Sequence, residues 1–207
     1  KARRPPVFKF SDVSNLILES IRDPQEGATR VLSFAPPREA LWLLLALVAV
    51  LSTLMSQVAF VLSGASADAS MGTLMGTPVG MAALQALFIV GTVYLVYWVG
   101  RACGGQGSFE ETLLLVVWLQ VIFVAVQLAQ LVLAIVAPFL TLLVLVASVG
   151  LFFYLLTYFV LVLHRFQSAG MVFAGIVISG FGTLFVLGLA MSILGIGPET
   201  LSTGGTF

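Results

Sequence analysis

The chain has 207 residues, 60% of them hydrophobic and 9% charged, with a mean hydropathy of +1.13. Soluble domains carry about 25% charged residues, and water would meet far more apolar surface than such a chain could hide, so the composition excludes a soluble globular fold and points to a bilayer. Formal net charge is zero, yet Lys1, Arg3, Arg4, Lys9, Arg22, Arg30 and Arg38 all precede the first long apolar run, and only Arg101 and Arg165 follow it.

At the start of the chain, Phe10, Val13, Ile17 and Ile21 recur at helical spacing behind Ser11, which reads as an N-cap. Asp23-Pro24-Gln25-Glu26 reads as a second helix start. Asp23 caps, Pro24 takes the first helical position and Glu26 reaches back. Ala28, Val31 and Leu32 then make a short apolar face. Residues 1–39 are therefore expected to form two amphipathic helices, bearing Arg22 and Arg30, that lie on the cytoplasmic leaflet. The alternative is a small helical hairpin packed on loop 100–111. The first long apolar run is too long and starts too late to read as a cleavable signal peptide.

Residues 40–194 read as an all-α, five-helix transmembrane domain, since about 20 helical residues cross roughly 30 Å of hydrocarbon. The spans are Ala40–Leu62, Met81–Val99, Thr112–Ile135, Phe139–Leu163 and Ala169–Leu194. Thr112 to Leu163 carries no charge, and as one helix it would exceed twice the hydrocarbon thickness. It must be a hairpin, and Ala137-Pro138 is the expected bend, because proline lacks an N–H and suits the first turn of a new helix. With the N-terminus inside, segments 1–39, 100–111 and 164–168 hold every Lys and Arg, as cytoplasmic segments should. The outer segments are 63–80, the turn near Pro138 and the tail 195–207, with only Asp68 and Glu199 charged. Trp42, Tyr97 and Trp98 fall near the cytoplasmic ends, where interfacial aromatics belong.

Most catalytic chemistry has no material here. No Asp, Glu, Lys, Arg or His lies inside a span, which argues against a proton-coupled pump. Cys103 is the single cysteine, so an internal disulfide or a multi-cysteine metal site is excluded. His164 is the single histidine. It could serve as one axial ligand to a haem or chlorophyll, but beside Arg165 at a helix end it reads as a polar terminus. Gly64-Ala65-Ser66 lies on the outer side, a membrane thickness from any base. Gly104-Gly105-Gln106-Gly107 lacks the Lys-Ser/Thr of a phosphate loop. No enzyme, cofactor or metal is expected.

Gln57, Gln85, Gln127 and Gln130 fall in the outer halves of their helices and Gln120 nearer the middle. Ser52/Ser56 and Thr53/Gln57 follow i, i+4 spacing on the first span. An amide in hydrocarbon needs partners, and the expected use is interhelical glue at about 0.6 kcal/mol per contact. The alternative is an outward-opening polar cavity. Gly175, Ser179 and Thr183, with Gly170/Ala174, make a small-residue stripe on the fifth span that suits close helix packing.

The loop Gly104-Gly105-Gln106-Gly107-Ser108-Phe109-Glu110-Glu111-Thr112-Leu113 resembles the segment before the third span in the Yip family (named for Ypt/Rab-interacting proteins) of five-span membrane proteins. There the pattern is two glycines, a Gly-Ser-Phe step and a Thr-Leu that enters the helix. Asp23-Pro24 followed by Gly27-Ala28 is similar to an element before the first span of bacterial members. A departure is Trp118-Leu119-Gln120-Val121, where many relatives have a proline-containing stretch. Physically, Ser108 with Glu111 makes a capping box, and the glycines allow a sharp turn and close backbone approach.

The resemblance implies a non-enzymatic protein of the bacterial inner membrane. A Rab partner does not carry over to a bacterium. The expected function is a scaffold or accessory subunit associated with another membrane-protein complex, with the lipid bilayer and no nucleic acid as partners. A small transporter or lipid-handling protein using the outer glutamines is the alternative, and a pigment-associated protein using His164 a third.

Overall fold

Apolar runs broken by Pro, Gly and short polar loops give seven helices among the described residues. The computed structural model describes residues 10–62 and 77–193. The expectations for Gly64, Ser66 and Asp68, and for Glu199 in the tail, lie outside these residues. The helices are α1 (Phe10–Arg22), α2 (Pro24–Leu32), α3 (Arg38–Leu62), α4 (Pro78–Ala102), α5 (Phe109–Val136), α6 (Pro138–His164) and α7 (Ala169–Ile193). The last five are long and apolar enough to cross a membrane. This is a multi-pass, all-helical membrane protein.

Local chemistry sets the boundaries. Thr77 caps α4, with Pro78 at the first helical position. Ser108 accepts from the Glu111 N–H while the Glu111 carboxylate receives the Ser108 N–H, so the capping box forms as the sequence implies. Ala137 ends α5 and Pro138 starts α6, which places the hairpin where expected. Arg165 ends α6 in the left-handed region, at φ 56°. The Phe166 N–H closes back on the Leu161 carbonyl, a Schellman-type stop that glycine usually makes.

α5 is the central helix and packs on α2, α3, α4 and α6, whereas α7 packs chiefly on α6. Antiparallel connection gathers Arg38, Arg101 and Arg165 at one end, here called the basic end. The core sits near it. Thr112 to Val117, Leu119 and Ile122 of α5 are buried, as are Leu155 to Thr157, Phe159, Val160, Leu163 and His164 of α6.

Two details of the N-terminal reading change. Ser11 is not an N-cap but is itself helical, inside α1. Asp23 does cap α2, accepting from the Gln25 and Glu26 N–H groups at 3.1 and 3.0 Å. Among the described residues, however, Glu26 makes no return bond. The α1–α2 hairpin packs against the bundle. Its buried residues, Leu16, Ser20, Pro24, Gly27, Ala28 and Val31, are covered by protein, with α2 against α5 and α6. Small residues close the hairpin on itself: Gly27 of α2 abuts Ser20 of α1 so closely that a Cβ there would lie 2.6 Å from the Ser20 Cα.

Candidate functional site

The most built locus is the basic end, where the loop between α4 and α5 meets the end of α6. His164 closes it. The ring is 1% exposed. Its Nδ1 accepts the Gly107 N–H at 3.3 Å, and its Nε2 lies 3.2 Å from the Val96 carbonyl. An amide can only donate and a carbonyl only accept, so Nδ1 is bare, Nε2 carries the proton and the ring is neutral. One side chain thus ties α6 to α4 and to the loop.

Glycines make room for it. A Cβ at Gly100 would overlap the imidazole at Nε2, and one at Gly105 would overlap it at Nδ1. Gly107 is pressed against Leu163, where a Cβ would sit 2.8 Å from Cγ. The glycines therefore approach side chains of α6, and Gly105 also bonds through its N–H to the Gly100 carbonyl at 2.8 Å. Only Gly104 uses a positive φ, 85°. Phe166 lies over the ring with centroids 5.5 Å apart. Arg165 adds a second tie by donating to the Gln106 side chain at 3.2 Å. Beneath the clasp, the void lined by Val96, Thr112, Leu119, Phe159 and Leu163 measures about 10 Å³, far below a ligand site of about 300 Å³. The chain's own side chains fill this locus.

A second junction joins the hairpin to the bundle. The Trp118 indole N–H donates to the Ser20 hydroxyl at 3.0 Å, and that hydroxyl donates to the Leu16 carbonyl at 2.8 Å. Trp118 is where the chain departs from the proline-bearing pattern of the resemblance, and it has a use of its own here. Beside it runs an open groove of about 750 Å³ lined by Glu19, Asp23, Glu26, Arg30 and Val162 among others. Asp23 is occupied as a cap and Glu19 pairs with Arg30.

The glutamines do not converge in the same way. Gln130 donates to the Ser148 hydroxyl at 2.9 Å, joining α5 to α6, which is glue as expected. Among the described residues, Gln57, Gln85 and Gln120 make no side-chain hydrogen bond, and the Gln127 Oε1 is buried without a partner, as is the Thr141 Oγ1. Ser56 and Thr53 bond back to the Ser52 and Ala49 carbonyls of their own helix, so they hold no neighbour. On α7, Ser179 and Thr183 also bond within the helix. Gly175 has open space where its Cβ would be, so no neighbour approaches it closely.

Of the residues singled out from sequence, Asp23, Pro24, Gly105, Gly107, Ser108 and Glu111 hold the hairpin and loop in place. Gly104 turns the loop. Sequence reading missed Gly100, Val96, Ser20 and Trp118, and took His164 for a simple terminus. The available signal was the lone histidine beside a cluster of glycines. A model of the family described as Yip1 domain matches residues 18–191. Comparison with curated proteins and with solved structures gives no match to either.

Proposed function

The chain belongs to the Yip1 domain family, and from that premise we propose that it is a non-enzymatic scaffold or accessory subunit of another membrane-protein complex in a bacterial inner membrane. The observation that carries this reading is α7. It packs chiefly on α6 and leaves Ile178, Phe181, Leu184 and Phe185 exposed, with open space at Gly180, Gly182 and Gly188. Small residues on an apolar helix let another transmembrane helix come close. The locus built with most care is filled by its own side chains, which suits a structural role better than turnover.

In this reading the basic end faces the cytoplasm, the N-terminus is cytoplasmic and the C-terminus periplasmic. Cys103 is exposed at that end. Intact spheroplasts treated with an impermeant thiol reagent should leave it unmodified, and strong labelling without lysis would reverse the orientation.

Solubilisation in mild detergent, followed by mass spectrometry of the purified particle, tests the scaffold. A stoichiometric membrane partner that is lost on Gly182→Leu supports it. A particle that holds only lipid favours the second reading, a transporter or lipid-handling protein. That reading draws on the buried, partnerless Gln127 and Thr141 oxygens in the half of the bundle away from the basic end.

A further inference from the structure

His164 is the only histidine in the chain, and the structural role given to it above makes no use of its titration. Both ring nitrogens are committed, in opposite senses. Nε2–H donates to Val96 and Nδ1 accepts from Gly107. An imidazolium has two donors and no acceptor. A proton on Nδ1 would therefore point one N–H at another, while the bond to Val96 survives.

The ring has little freedom to escape that conflict. Gly100 and Gly105 flank it closely, as the overlap of any Cβ built there shows. Phe166 covers it from a third direction. Turning the ring over about χ2 would put Cδ2 and Cε1 where the two nitrogens now sit and lose both bonds. The part able to move is the loop, whose Gly104 has open space around it and whose Gln106 and Ser108 are exposed.

We infer that His164 is a proton-operated latch: the neutral ring holds loop 103–108 on α6, and protonation at Nδ1 lets the Gly107 side of the loop go while α4 stays attached through Val96. His164 is the last residue of α6 and adjoins the exposed Arg165, so a proton has a short path from water. The charges acting on the ring are Arg101 of α4 and Glu111 of α5. Glu111 is held by the Ser108 N–H, so it is tied to the same loop. Arg165 on the ring's own helix turns to Gln106. On α2, Glu26 and Arg30 are exposed, and Arg30 pairs with Glu19. Arg38 of α3 lies near Glu110 and over Phe109. Burial of the ring favours its neutral form, so release is expected as pH falls below the range where an ordinary histidine takes a proton.

The chain carries its own reporter. Cys103 is its only thiol, exposed one residue beyond α4 at the start of the loop. The full chain in lipid nanodiscs, with a nitroxide on Cys103, would be titrated from about pH 8 to about pH 5. Nitrogen NMR of the single imidazole would follow the same samples. The mobile population of the label should grow in one step, its ratio to the immobile population rising by up to about tenfold per pH unit, the slope of one proton. The midpoint should coincide with titration of the ring. In His164→Gln, whose amide oxygen can accept from Gly107 but takes no proton in this range, the profile should be flat. Unchanged mobility in the wild type, a midpoint away from the ring's, or a step that persists in His164→Gln would each overturn the latch. If His164→Gln does not fold, coincidence of the two midpoints in the wild type decides alone.

Discussion

Along α5, one unbroken apolar sequence behaves in two ways. From Thr112 to Leu119 every residue is buried except the half-buried Trp118, while at the other end Leu128, Val132, Ile135 and Val136 are exposed. α6 repeats the contrast in reverse: Phe139, Leu142 and Leu143 are exposed, and Leu155, Leu156, Phe159, Val160 and Leu163 lie in the core. Hydropathy is similar throughout, so it does not decide which end packs. In a bilayer the apolar effect holds a helix in the membrane but gives no preference for helix over lipid. The basic end is different because it has glycines that admit side chains, polar groups with partners and a covering hairpin. The far half has isolated amides and little else to draw helices together.

The contrast predicts that one substitution type has opposite consequences at the two ends. Gly100→Ala places a methyl group into the imidazole of His164. Overpacking a filled site costs about 1–3 kcal/mol, and the loss of the histidine's two bonds puts this case near the top of that range. Gly182→Ala meets nothing and should be neutral or stabilising, by up to about 1 kcal/mol of helix propensity. Thermal unfolding in detergent measures both. Equal midpoints for the two variants would remove the distinction between a packed end and a loose one.

Next in size is the hairpin junction. Ser20→Ala removes the acceptor of the Trp118 indole N–H from a site where that hydroxyl is fully buried. An unsatisfied donor there costs about 1–3 kcal/mol. Trp118→Phe in the same background should restore part of the loss, because the orphaned donor goes with it. A double variant no more stable than Ser20→Ala alone would mean that the hairpin rests on α5 without this bond.

What the sequence disclosed follows the same division. The spans were legible because a bilayer demands about 20 apolar residues regardless of packing. Ala40–Leu62 became Arg38–Leu62, and the bend at Pro138 fell where length required it. The Ser108–Glu111 box was legible because both partners lie within one turn. His164 was not, since its partners Val96 and Gly107 stand 68 and 57 residues away in the chain. A polar residue next to Arg165 also looks like any helix end. The contact of α2 with α5 and α6 was not legible, because amphipathicity reports that a face is buried without saying in what. The Yip-like loop was read correctly as a close approach, but the object approached was the imidazole and Leu163 more than another backbone.

The box itself ranks third. Ser108→Ala frees the Glu111 N–H and loses the cap of α5, a cost of about 1 kcal/mol. Because the same loop carries Gly107 to His164, the variant should also raise amide exchange at Gly107. Exchange that stays unchanged there, with stability reduced, would separate the cap from the clasp and confine the packed end to the histidine.

The smallest effect lies in the far half, where two glutamines of one helix should respond differently. Gln130 donates to Ser148 across the α5–α6 pair, and such a bond between membrane helices averages about 0.6 kcal/mol. Gln130→Leu should lose about that much, and Ser148→Ala should cost little more once Gln130 is gone. Gln127 is three residues earlier on α5, and its Oε1 is buried without a partner. An unmatched amide is unfavourable in an apolar setting, so Gln127→Leu should leave stability unchanged or raise it. The pair therefore separates glue from cavity. If Gln127 faces a hydrated or lipid-filled space, its oxygen already has a partner in the membrane, and leucine would destabilise the protein or abolish lipid retention. A stability loss at Gln127 as large as at Gln130 would show that the far half is organised around a ligand, and the contrast between a built end and an open one would then have to be redrawn as one between two built sites.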